Sequence, residues 1–128
     1  MIYLDSSVAL ARVFSEPRAP PAPFWQQQLV SSRLLEFEVW NRVHAYRLAG
    51  THANEATTLL LGVEVLEMNR SILARALEPW PAPVRTLDAL HLATLEYLRR
   101  QGEMVELASY DSRLVAAARA LGITIAAL

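Results

Sequence analysis

The sequence predicts an α/β fold: a short-stranded parallel sheet flanked by helices. Short apolar runs recur along the chain, each bounded by turn or capping residues, and stretches of helical periodicity lie between them. Parallel strands need crossover connections, so this alternation implies a parallel sheet with helices on both faces. At 128 residues, 53% of them apolar, the chain is expected to form one domain spanning residues 1–128.

The elements follow in order. Ile2-Tyr3-Leu4 forms the first strand. Asp5-Ser6-Ser7 then leads, through a serine cap, into the helical pattern Val8, Leu10, Ala11, Phe14, which Pro17 stops. Residues 17–23 hold four of the seven prolines and read as a loop into a short helix over 24–28. Leu29-Val30 is the second strand. Ser31-Ser32 caps a helix over 33–49, the longest expected, which lacks proline and internal glycine and closes at Gly50. A helix over 54–64, a strand over 65–68 and a helix over 70–77 follow, and Pro79, Pro81 and Pro83 then mark a loop. Thr86 caps a helix running to Gln101 and ended by Gly102. Residues 105–108 form a strand, Ser109-Tyr110-Asp111 opens a helix that stops at Gly122, and residues 124–126 form the last strand.

Composition removes several chemistries. There is no cysteine, so disulfides, zinc-thiolate sites and thiol nucleophiles are excluded, and any metal must be held by oxygen or imidazole. There is no G-x-S-x-G elbow, and with four glycines no phosphate-binding or dinucleotide-binding glycine pattern fits. No signal-like segment or long apolar run occurs, so a soluble cytoplasmic protein without a membrane partner is expected. The formal net charge is −1, so the broad basic surface of many nucleic-acid binders is missing. Every basic residue is arginine, a side chain suited to bidentate phosphate contacts but also a plain compositional habit.

The acids are the informative feature. Asp5 follows the first strand and Asp111 lies just after the fourth, and in an open parallel sheet the carboxyl ends of the strands meet at one ligand-binding edge. Asp88 adds a third acid in the first turn of its helix. Taken singly, each could merely cap or favour a helix N-terminus. Together, with no lysine in the chain, they would repel one another unless a cation neutralised them, and oxygen-only donors select hard cations such as Mg²⁺ or Mn²⁺. His91, one turn after Asp88 within an apolar run, is expected to be a packed, hydrogen-bonded histidine rather than a ligand or base. His44 and His52 carry no spacing that suggests a site.

Four segments resemble the PIN-domain family of nucleases, in particular the VapC toxins: Y-L-D-S-S-V-A-L-A-R at 3–12, S-S-R-L-L-E-F-E-V-W-N-R at 31–42, T-L-D-A-L-H-L-A-T at 86–94 and A-S-Y-D-S-R-L-V-A-A-A-R-A-L-G-I at 108–123. The resemblance covers almost the whole chain and is weakest over 51–84. It implies a three-layer α/β/α domain with an acidic metal site of Asp5, Glu38, Asp88 and Asp111, and with Ser7 and Ser109 orienting carboxylates or water. The helical wheel puts Glu36 and Glu38 on opposite flanks of the stripe Leu35, Val39, Val43, Tyr46, so periodicity does not choose between them. Glu38 is taken because family members carry the acid directly before the valine; its plainer role is an i,i+4 ion pair with Arg42.

The implied activity is metal-dependent hydrolysis of RNA, with Mg²⁺ or Mn²⁺ activating water and stabilising charge on the phosphate. Arg12, Arg42 and Arg113 are the phosphate-contact candidates, each near a site acid in sequence. The resemblance also implies a homodimer and a cognate VapB-like antitoxin. Leu34, Phe37, Trp40 and Leu48 form a second apolar set on the far side of the long helix, which either the following helix with Leu59-Leu60-Leu61 or a partner would cover. Competing readings are a PIN-like scaffold that binds no metal, a phosphotransfer receiver and an Asp-nucleophile phosphatase. The last two fit poorly, for the receiver needs a lysine and the phosphatase needs Asp-x-Asp.

Overall fold

A computed structural model describes residues 1–128. The strands are β1 (Ile2–Leu4), β2 (Leu29–Ser32), β3 (Glu64–Leu66), β4 (Glu106–Ala108) and β5 (Thr124–Ile125). All pair in parallel in the order β3-β2-β1-β4-β5, with β1 at the centre. The register sets Tyr3 beside Val30 on one side and Leu107 on the other.

The helices are α1 (Ser6–Val13), α2 (Leu34–Ala45), α3 (Ala49–Leu61), α4 (Arg70–Ala76), α5 (Thr86–Arg100) and α6 (Ser112–Ala120), with a short 3₁₀ turn at Ala22–Gln26. Side chains alternate across a strand, so β1 feeds two cores. Ile2 and Leu4 join Val8, Leu35, Val39, Val43 and Leu59 beneath α1, α2 and α3. Tyr3 joins Leu92, Leu95, Leu107, Leu114 and Ala118 beneath α5 and α6. The result is the expected α/β/α arrangement. No helix is long and apolar enough to cross a membrane.

The helix expected over 33–49 stops four residues short of its expected end. α2 ends at Ala45, and Arg47 adopts a left-handed backbone, φ 55°. The Arg47 N–H bonds to the His44 carbonyl at 3.0 Å and the Leu48 N–H to the Val43 carbonyl at 2.9 Å, the paired closure of a Schellman motif. Gly50 sits in the first turn of α3 rather than past a helix end, and the helix expected over 54–64 starts at Ala49. α5 is therefore the longest helix, at 15 residues. The break also divides the second apolar set. Trp40 and Leu48 turn onto the α1–α3 core, Leu34 is half-buried, and Phe37 remains exposed. Tyr46, expected in the inward stripe, is exposed as well.

Smaller shifts have local causes. Ser31 and Ser32 end β2 instead of preceding a helix, but the Ser32 hydroxyl still accepts from the Leu34 N–H at 3.2 Å. Arg85, not Thr86, is the cap residue of α5, and its N–H is taken by the Asp88 carboxylate at 3.1 Å.

Candidate active site

The carboxyl ends of β1 and β4 open into a cleft of about 700 Å³ with α1, α2 and the start of α5 as its walls. Asp5, Glu38, Asp88 and Asp111 all line it, although 106 positions separate the first from the last. Asp5 and Asp88 are buried, Glu38 is partly buried, and Asp111 is exposed.

Each acid is held by its own segment. Asp5 caps α1, and its Oδ2 accepts from the Ser7 N–H at 3.2 Å, the Ser7 hydroxyl at 2.5 Å and the Ser109 hydroxyl at 2.8 Å. The two serines are themselves fixed by β4's exit, for Tyr110 N–H donates to Ser7 Oγ at 2.9 Å and Asp111 N–H to Ser109 Oγ at 3.0 Å. Asp88 uses Oδ2 on the Arg85 N–H, and Asp111 uses Oδ1 on the N–H groups of Arg113 and Leu114 at 2.9 and 3.3 Å. Each aspartate thus commits one oxygen to the protein and keeps the other. Capping a helix would therefore not prevent any of the three from also holding a cation.

Glu38 differs, because both of its oxygens are engaged. Oε2 accepts from the Ser6 hydroxyl at 3.1 Å, and Oε1 lies 2.6 Å from His91 Nε2. His91 is 1% exposed, and its Nδ1 lies 2.7 Å from the Tyr3 hydroxyl. Burial lowers the His91 pKa, but the Glu38 hydrogen bond and the charges of Glu38, Asp5 and Asp88 more than offset this, so the imidazole titrates above its ordinary value. The Tyr3 phenol, wholly buried, is pushed far up by desolvation and stays protonated. Glu36 instead faces Arg33 at 3.3 Å on the outer flank of α2.

Asp5, Glu38 and His91 each bring a potential metal donor within 4.8 Å of the others. Five carboxylates line the cleft (Asp5, Glu16, Glu38, Asp88 and Asp111) against the guanidiniums of Arg18, Arg42 and Arg85. A hard cation fits such an oxygen-rich, lysine-free set.

Of the arginines chosen from the sequence, Arg42 lines the cleft. It makes no ion pair with Glu38; its Nη1 donates to the Tyr46 hydroxyl at 3.2 Å. Arg12 turns outward, 3.4 Å from Glu55 and 4.7 Å from the Trp25 ring centre. Arg113 is exposed on α6 and does not line the cleft. Arg18 and Arg85 do line it and were not singled out. Arg18 lies in the proline loop, which has no periodicity to assign it a face, and stacks 4.5 Å from the Tyr110 ring centre. Arg85, three residues before Asp88, was legible only as the end of a loop. Ser6 and Tyr3 were missed because nothing marks a strand tyrosine or the first of two serines as partners of distant residues.

A family model described as the PIN domain matches residues 2–120. The chain belongs to the PIN-domain family. Within that family it is similar to Mycobacterium tuberculosis ribonucleases. It is 32% identical to VapC46 over 98% of this chain and 96% of that protein, and 29% identical to VapC47 over the same shares. Two solved structures share the fold. A toxin-antitoxin complex from Klebsiella pneumoniae matches with a TM-score of 0.70 at 18% identity, covering 94% of each chain. VapC20 of M. tuberculosis, a sarcin-ricin loop cleaving toxin, matches with a TM-score of 0.67 at 19% identity, covering 91% of this chain and 95% of that one.

Proposed function

We propose that this protein is a VapC-type endoribonuclease, the toxin of a toxin–antitoxin pair, hydrolysing RNA phosphodiester bonds in the cytoplasm and so inhibiting growth. The carrying observation is the convergence of Asp5, Glu38, Asp88 and Asp111 on one cleft of a PIN domain. Those carboxylates would hold Mg²⁺ or Mn²⁺, which when bound lowers the pKa of water and offsets charge on the phosphate.

The chain's own residues do the rest. Ser7 and Ser109 fix Asp5 through one oxygen, leaving Oδ1 without a hydrogen bond from the protein. Arg18, Arg42 and Arg85, spaced around the acids, grip phosphates on either side of the scissile bond. The half-buried walls from Leu10 and Phe14 shield the acids from bulk water on the α1 side.

Two partners go with this reading. The excess of carboxylates in the cleft suits a basic side chain of a VapB-like antitoxin segment, which would neutralise the site and block RNA together. A second copy of the chain packs at the apolar groove of Leu73, Leu77, Trp80, Val84 and Leu90 between α4 and α5, which shares Arg85 and Thr86 with the cleft.

The test is cleavage of total bacterial RNA by protein freed of antitoxin, with Mg²⁺ or Mn²⁺ and with EDTA, beside Asp88→Asn. Cleavage that needs metal and is lost in the variant is expected. Cleavage unaffected by EDTA, or retained by the variant, would overturn the metal-site assignment.

A further inference from the structure

We infer that His91 is a positioning residue for Glu38 rather than a metal ligand: its Nε2–H holds the Glu38 carboxylate in the cleft, and Tyr3 holds the ring. The inference rests on the acidic metal-site reading above and assigns a role to the buried titratable pair, His91 and Tyr3, that this reading leaves unused.

The geometry carries it. Glu38 is the only acid of the four supplied from beyond the first turn of its helix, the others being the caps Asp5 and Asp111 and the first-turn Asp88, so no free backbone N–H is available to orient it. A glutamate has one more rotatable bond than an aspartate, and without restraint its carboxylate would sample several rotamers. Two contacts remove that freedom: Ser6 Oγ on Oε2 at 3.1 Å and His91 Nε2 on Oε1 at 2.6 Å. The histidine is fixed in turn, because its opposite nitrogen meets the buried Tyr3 hydroxyl at 2.7 Å, and the two rings lie edge-on, 5.8 Å apart at 81°.

The proton assignment follows from the partners. An ionised carboxylate only accepts, so the 2.6 Å contact requires the proton on Nε2. Tyr3, kept protonated by burial, serves both forms of the ring: it donates to Nδ1 of the neutral imidazole or accepts from Nδ1–H of the charged one. Nε2 carries hydrogen in either case and has no lone pair for a cation. The three-donor grouping of Asp5, Glu38 and His91 therefore reduces to two ligands and an orienting group. Residues that orient metal ligands are typically worth about 10–100-fold in affinity or activity.

The test uses the full-length protein and Mn²⁺ alone, with affinity measured by calorimetry, nitrogen coupling to the bound ion by pulsed EPR, and folding by thermal melts. His91→Leu removes the donor, while in His91→Gln the terminal amide reaches where Nε2–H stood. The expected result is a loss of about 10–100-fold in Mn²⁺ affinity for His91→Leu, recovery of most of it in His91→Gln, and no histidine nitrogen coupling in the wild type. Wild-type affinity in His91→Leu, or a directly coupled nitrogen that His91→Gln abolishes, would overturn the inference. Should the wild type bind no Mn²⁺, the functional reading fails by itself. Nitrogen-15 imidazole spectra then decide the inference separately: a proton on Nε2 whose shift responds to Glu38→Gln supports it, and an unprotonated Nε2 ends it.

Discussion

Asp111 caps α6 and, in the proposed function, also holds the metal, and substitution can separate the two. Its Oδ1 receives two backbone N–H groups at the start of α6, and its other oxygen is left for the cleft. Asparagine caps a helix about as well as aspartate, whereas alanine loses roughly 1 kcal/mol. Asp111→Asn should therefore melt like the wild type yet cleave RNA poorly, and Asp111→Ala should lose both activity and about 1 kcal/mol in urea unfolding. If Asp111→Asn cleaves at the wild-type rate, Asp111 is a cap only. Asp5, Asp88 and Asp111 were legible because each follows a strand or opens a helix, where the chain pattern itself locates it. The choice of Glu38 over Glu36 was not, since the two lie on opposite flanks of one stripe and only the packing of α2 on β1 and α5 decides which meets His91.

Helix ends show where sequence reading succeeds and where it stops. Gly102 and Gly122 close α5 and α6 with φ of 89° and 73°, and a glycine past an apolar stripe announces such an end. Ser15 and Arg47 close α1 and α2 with the same left-handed geometry, φ 52° and 55°, but without glycine they carry no signal. That is why α2 was expected to run on to residue 49 and α3 to start only at residue 54. A non-glycine residue in this region bears roughly 1–2 kcal/mol of steric cost. Arg47→Gly should hence stabilise the protein by up to about 1 kcal/mol in chemical denaturation, and Arg47→Val should destabilise it. A loss of stability with glycine would mean that the arginine stem contributes packing that outweighs the relief.

For the whole molecule, the charge balance limits how the RNA of the proposed function would be held. With a formal net charge of −1 and three arginines lining the cleft, the number of phosphates neutralised is small. The affinity of a cleavage-dead Asp88→Asn protein for single-stranded RNA should fall with salt at a log–log slope of only about −2, taking about −0.7 per contact. A slope several times steeper would place the main RNA grip on a surface away from the cleft. The self-association proposed for the α4–α5 groove is tested by Leu77→Glu, since Leu77 is 90% exposed there. Light scattering should show the wild type as a dimer and the variant as a monomer of unchanged helix content. A dimer persisting in the variant would move the contact elsewhere, the exposed Phe37 face of α2 being one other apolar surface. The parallel sheet, its order of layers and the cleft edge followed from alternation alone; the α4–α5 groove did not, because it depends on how two helices pack.

The position of β1 at the centre of the sheet bears on when, during synthesis, the cleft can assemble. The hydroxyl of Ser109 that fixes Asp5 is synthesised 104 residues after it, and β1 lacks one neighbour until β4 is made. Contacts this distant in sequence carry a loop-closure cost that slows folding. The nascent chain therefore carries its acids dispersed along an incomplete sheet, and the four-acid cleft can assemble only once Asp111 has been made and β4 has paired with β1.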